Sequence, residues 1–230
     1  KQFFAYGLGN NLSFPYAVGA TVVLFKDRVT PQVVSDLMRQ HDVTVLGGVP
    51  TFFAGWLQHE SCPEREELPG LRFATSAGEA LPGHLAEAFR DRFGADILDG
   101  LGSTEMLHIF VSQRPGEVRF GCTGRAVDGY EVRLIGDDGA LVEPGEIGEL
   151  QVRGETSASE YWRNPEKTAA TFRDGWTLTG DKYTVDVDGW LTYSGRGDDM
   201  LKVGGIYVSP IEVEEALVSH PAVLEAAVVG

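Results

Sequence analysis

Cysteine is scarce: the chain holds only Cys62 and Cys122. They lie far apart and outside any Cys-x-x-Cys pair, so neither a disulfide framework nor a zinc site is expected, and reduced thiols in a cytoplasm are the default. Basic residues are few as well. Nineteen Lys and Arg stand against 34 Asp and Glu, a formal charge of −15, with no uninterrupted basic run. Like charges repel at long range, so no nucleic-acid backbone and no anionic membrane is an expected partner. A nucleotide stays compatible if a metal or backbone donors offset that field; the plainer reading of the charge is solubility. No apolar run is long enough to cross a bilayer, and Lys1-Gln2-Phe3-Phe4 lacks the regions of a signal peptide. Walker GxxxxGK(S/T), Rossmann GxGxxG, HExxH and GxSxG patterns are all missing, which argues against P-loop, dinucleotide, zincin and α/β-hydrolase readings. There is no initiator Met, and the end falls on Val228-Val229-Gly230, so the expectation is of boundaries cut through a longer polypeptide.

What is present suits a globule: 230 residues, 43% of them hydrophobic, are enough to bury a core. Up to about residue 110, apolar runs alternate with helical periodicity, which predicts a layered α/β arrangement. Thr21-Val22-Val23-Leu24-Phe25 reads as a buried strand. Thr30-Pro31 opens a helix with Val33, Val34, Leu37 and Met38 on one face, and Val43-Thr44-Val45-Leu46 is the next strand. A helix after Pro50 buries Phe52, Phe53, Trp56 and Leu57. Leu71-Arg72-Phe73-Ala74 leads into a further helix marked by Leu85, Ala88 and Phe89, and Asp96-Ile97-Leu98 ends in a glycine-rich turn. From about Gly121 the chain breaks into short alternating stretches, the pattern of hairpins and small barrels, with strands at 132–135, 148–153 and 190–193. Ser209-Pro210-Ile211-Glu212 is a capping box opening a helix to about Val218.

Gly100-Leu101-Gly102-Ser103-Thr104-Glu105 sits where a strand ends and a helix is expected to begin. Its backbone donors and hydroxyls could meet a phosphate while Glu105 holds a divalent cation; an ordinary helix start with Ser103 as cap fits equally. Asp181, in Thr179-Gly180-Asp181, could accept from a ribose diol or simply follow a turn glycine. Gly195-Arg196-Gly197-Asp198-Asp199 with Gly204-Gly205 suits a hinge or a loop approaching a ligand, or else a hairpin turn. The five histidines show no ligand spacing. His108 alone stands out, with apolar neighbours just beyond the glycine-rich turn.

In order and spacing, Phe4-Ala5-Tyr6-Gly7-Leu8-Gly9, Gly78-Glu79-Ala80-Leu81-Pro82, Gly102-Ser103-Thr104-Glu105, Gly121-Cys122-Thr123-Gly124, Gly145 to Leu150, Thr179-Gly180-Asp181 and Gly195-Arg196 through Glu212 resemble the adenylate-forming superfamily of acyl-CoA synthetases, adenylation domains and luciferases. Asp99 through Phe110 and the opening Phe3 to Asn10 are most similar to benzoate-CoA ligases.

That resemblance implies ATP-dependent activation of an aromatic carboxylic acid to an acyl-adenylate, then transfer to coenzyme A. Ala5, Tyr6, Gly78 and His108 would line the aryl pocket. Glu79, Ala80 and Leu81 would flank the adenine, with Asp99 and Gly100 contacting it. Thr104 would meet phosphate, Glu105 would hold Mg2+, and Asp181 and Arg196 would bind the ribose hydroxyls. Asp198 would be the hinge of a small lid, and Gly204 and Gly205 would border the thiol tunnel. The implied fold is a partial layered α/β body over 1–120, a β-rich, barrel-like subdomain over 121–197 and the start of an α+β C-terminal lid over 198–230. Two departures count against activity of this chain alone. The superfamily's phosphate loop would precede residue 1, and its adenylation Lys would follow Gly230. Leu101 also replaces an aromatic residue common in relatives. A carrier-protein phosphopantetheine could replace coenzyme A, a non-catalytic nucleotide- or acid-binding module is the rival class, and a homodimer is compatible with the chain.

Overall fold

A computed structural model describes residues 2–203, 206–218, 220, 222–223 and 226–228. They fall into two compact units, Lys1–Val127 and Asp128–Gly230.

The first unit opens on a helical segment, α1 (Ala5–Leu8) and α2 (Phe14–Val18), joined by one π-helical turn, Gly9–Ser13. Helix α3 (Pro31–His41) starts where Thr30 accepts the Val33 N–H at 3.3 Å and proline occupies the first turn. Then follow β1 (Val45–Gly48), α4 (Pro50–Leu57), β2 (Phe73–Ser76), α5 (Gly83–Phe93), β3 (Asp96–Gly102), β4 (Ile109–Ser112) and β5 (Arg125–Ala126). These strands form one sheet in chain order. β1, β2 and β3 are parallel, each pair crossed by a helix, and β4 and β5 close it antiparallel. Met38, Phe53, Trp56, Phe89, Phe93, Ala74 and Ile97 make the core between helices and sheet. Trp56 is fully enclosed, yet its indole N–H is satisfied at 2.8 Å by Ser35, itself buried, so no polar group is left unpaired there.

The 21–25 run does not form the expected strand. No ladder includes it, and Leu24 and Phe25 are exposed. β-branched composition favours an extended chain but supplies no pairing partner, and β1, the first strand of the sheet, pairs only with β2 among the described residues. The expected helices after Pro31, Pro50 and Gly83 and the strands around 45, 73 and 97 are present.

In the second unit, β6 (Tyr130–Ile135), β7 (Gly148–Gly154), β9 (Trp176–Val185) and β10 (Leu191–Arg196) form an antiparallel sheet in the order β10-β9-β7-β6. After α6 (Pro165–Thr171), short β8 (Phe172–Arg173) pairs with β9. A hairpin, β11 (Leu201–Val203) and β12 (Ile206–Val208), leads into α7 (Pro210–Val218). Ser209 caps α7, accepting the Glu212 N–H at 3.2 Å and donating to Ser194 O at 2.6 Å.

Candidate functional site

Parallel strands aim their carboxyl ends at one edge of a sheet, where chain reversals leave room for a ligand. Here that edge carries the aligned row Gly48, Ser76 and Asp99 on β1, β2 and β3, with Gly47, Thr75 and Leu98 one step before it. Alternation sends the two rows to opposite faces. Asp99 is 5% exposed. Burial pushes its carboxyl up to about 8, with the Gly100 backbone pulling it down, and Oδ1 finds no hydrogen-bond partner among the described residues. Ser76 Oγ, across the ladder, is equally enclosed and unpartnered. Gly100 is buried beside them.

On the other face, Tyr6 and His108 come together although 102 residues separate them. Their rings stack at 5.7 Å, and Phe14 meets the imidazole edge-on at 4.6 Å. The Tyr6 carbonyl only accepts, so the 3.2 Å contact from His108 Nε2 fixes the proton on that nitrogen. Burial lowers the imidazole's basicity, so the ring is neutral at pH 7. Gly9 makes the approach feasible: a Cβ there would lie 2.3 Å from His108. Ala5, the first residue of α1, is half-buried beside Tyr6.

Sequence reasoning expected a helix after Ser103. Instead, residues 103–108 form a tight reversal between antiparallel β3 and β4. Ser103 N–H donates to His108 O, Ser103 Oγ accepts the Met106 N–H, and Leu107 takes φ 72. A helix cannot pass through that left-handed residue, and fully buried Met106 anchors the reversal. Gly102 is required for closure, since a Cβ would stand 2.5 Å from His108 O. Thr104 is exposed at the apex and Glu105 is half-buried. Among the described residues no three His, Cys, Asp or Glu side chains gather as a metal cluster. A lone carboxylate still suits Mg2+, which takes one or two carboxylates and leaves its other positions to water and phosphate oxygens.

Residues 77–82 connect β2 to α5. Gly78 turns with φ 92, Ala80 is exposed, and Leu81 packs on the core. Glu79 has a partner that no local pattern announced: its carboxylate accepts from Thr51 N at 3.2 Å and from Thr51 Oγ1 at 2.7 Å, at the start of α4. Thr75, Asn10 and Phe14 were missed likewise, because their contacts are long-range and carry no sequence signal.

In the second unit Asp181 and Arg196 are cross-strand partners on β9 and β10, 3.1 Å apart. Arg196 also donates to Thr179 O at 3.1 Å and lies 3.5 Å from Asp198. Burial raises the Asp181 carboxyl while the Arg196 guanidinium pulls it down. Tyr193 beside them is pushed up to about 12, first by burial and then by the Asp181 charge. Gly204 and Gly205, expected at a thiol tunnel, lie outside the described residues.

The family described as AMP-binding enzyme matches residues 1–162. The chain belongs to the AMP-binding enzyme family. It is 58% identical over its whole length to a benzoate–CoA ligase of Thauera aromatica, covering 44% of that protein. It is 50% identical to a 4-hydroxybenzoate–CoA/benzoate–CoA ligase of Rhodopseudomonas palustris, covering 42% of it. A solved benzoate CoA ligase from Burkholderia xenovorans LB400 superposes over the whole chain with a TM-score of 0.93 at 51% identity, the match covering 46% of that structure. The chain therefore spans less than half the length of these AMP-binding relatives, and its mixed α/β fold is theirs over the shared portion.

Proposed function

We propose that the protein activates a benzoate-like acid with ATP and passes the acyl group to coenzyme A. The observation that carries this is the whole-chain similarity to the Thauera benzoate–CoA ligase; the paired Tyr6 and His108 rings are the structural feature that suits a flat aromatic ligand. In this reading a carboxylate oxygen of the acid bonds to the α-phosphorus of ATP as the bond to the pyrophosphate oxygen breaks. The thiol sulfur then bonds to the acyl carbon, its proton passes to solvent, and AMP leaves.

Ala5, Tyr6, Gly78 and His108 are assigned to the acid. Neutral His108 brings no positive charge to the carboxylate at pH 7; with Nε2 committed to the Tyr6 carbonyl, it serves as a flat wall. Glu79, Ala80, Leu81, Asp99 and Gly100 are assigned to the adenine, with Asp99 acting from beneath because its carboxyl is enclosed. Thr104, at the apex of the reversal, is assigned to phosphate. Asp181 and Arg196 present the acceptor and donor that a ribose diol takes. Glu105 would hold Mg2+, which when bound supplies positive charge beside phosphate oxygens. Asp198 keeps its assignment as hinge. A chain with only two cysteines, Cys62 and Cys122, outside any paired motif, suits a reducing cytoplasm.

The test is ATP–pyrophosphate exchange by the full-length protein with benzoate and with acetate, followed by AMP release on adding coenzyme A. Benzoate-dependent exchange and thiol-dependent release are expected. Exchange with acetate alone would remove the aryl assignment, and release only with a phosphopantetheinyl carrier protein would change the acceptor.

A further inference from the structure

The Tyr6 ring is held at both ends. Its carbonyl receives the His108 Nε2 proton, and its phenolic oxygen lies 2.7 Å from Thr75 Oγ1, a contact spanning 69 residues of sequence. Burial raises the pKa of the phenol, making it harder to ionise, while Thr75, the Gly48 backbone and Asn10 act in that order to lower it, so several polar groups converge on the one oxygen. Gly47, opposite Thr75 in the parallel ladder, completes the arrangement. A Cβ on Gly47 would meet Thr75 Oγ1 at 3.5 Å, Asn10 Nδ2 at 3.6 Å and Tyr6 Oη at 3.7 Å. Asn10 Nδ2 is fully enclosed and makes no hydrogen bond of ordinary geometry, so the amide bears on the phenol by its field and its bulk.

A tyrosine tethered only at its backbone can swing about two side-chain torsions; tethered at the hydroxyl as well, it is a fixed surface. We propose that Thr75, backed by Asn10, is a positioning residue that pins the Tyr6 ring and so sets which ring substituents the acid slot admits. This rests on the assignment of Tyr6 to the acid. Thr75 touches no reacting atom and acts wholly through Tyr6. Losing its hydroxyl frees the ring, and the slot becomes tolerant without losing its affinity for the nucleotide.

The experiment compares kcat/KM for benzoate and for 2-, 3- and 4-methylbenzoate in the full-length wild type and in Thr75→Val, Thr75→Ser and Tyr6→Phe. In Thr75→Val at least one methylbenzoate-to-benzoate ratio should rise roughly tenfold, about what one methyl group is worth in a tight apolar slot. KM for ATP should stay unchanged, and Thr75→Ser, which keeps the hydroxyl, should restore the wild-type ratios. Tyr6→Phe should reproduce the effect, and the Tyr6→Phe/Thr75→Val double variant should add nothing. Should Thr75→Val fail to fold, Tyr6→Phe alone still reads the tether, since it keeps the ring and removes the bond. Unchanged ratios in Thr75→Val and Tyr6→Phe, or an equal rise in KM for ATP, would overturn the proposal while the ligase reading stands. A wild type with no aryl-acid-dependent exchange would overturn both.

Discussion

Asp99 is an acid where a charge is expensive. Its carboxyl rises from 3.8 to about 8 on folding, chiefly through burial. Between those values the folded chain keeps a proton that the unfolded chain has released. Stability is therefore full below about pH 4 and drains away as pH climbs through about 8. Asp99→Asn cannot ionise and should escape the loss. Between about pH 5 and 9 the wild type should lose on the order of 4 kcal/mol relative to the variant, as read from urea midpoints. Parallel pH slopes for the two proteins would mean that the carboxyl is hydrated in the fold. The residue itself stood out in the sequence by its place in Asp99-Gly100-Leu101-Gly102. Its protonation did not, because burial arises from residues that the sequence does not place beside it. Tyr6 and His108 were likewise legible only as separate positions; the tether to Thr75 needed the sheet.

Elements with their own start signals read well from sequence. Thr30-Pro31, Pro50 and Ser209-Pro210 each stand where a helix begins, and the stretches at 132–135, 148–153 and 190–193 became β6, β7 and β10, whereas β9 between them was not expected. Ser209→Ala should cost about 1–2 kcal/mol, since it removes both the cap of α7 and the bond to Ser194 O; chemical denaturation measures it, with Thr as the rescuing residue. Elements that depend on a distant partner read badly. Residues 21–25 have strand composition but join no ladder among the described residues, and Ser103-Thr104-Glu105 has helix-start composition but closes a reversal fixed by Gly102 and Leu107. Gly102→Ala drives a methyl into the His108 carbonyl. It should destabilise the protein by about 2 kcal/mol or more and abolish pyrophosphate exchange. A stable Gly102→Ala protein with full exchange would show that the reversal can open at no cost to the site.

Across the whole molecule the excess of acid is the dominant long-range term. With 34 acidic against 19 basic residues, self-repulsion weakens the compact state at low salt. Raising ionic strength from about 10 to about 150 mM shortens the reach of that repulsion from roughly 30 to 8 Å. The melting temperature should then rise by a few degrees. A fall would mean that local pairs such as Arg90 with Asp96 and Arg92 with Glu64 outweigh the net charge. No helix among the described residues is long and apolar enough to cross a membrane.

The π-helical turn at Gly9–Ser13 settles a matter of phase. Tyr6 and Phe14 sit eight positions apart, which on an unbroken α-helix puts them about 80° out of step. The wider turn takes up one residue and brings both rings to bear on one imidazole. A lineage that lost one residue inside the turn would leave the two aromatics seven positions apart, about 20° out of step on an α-helix, so the segment can shed its extra residue and still present both rings to the imidazole.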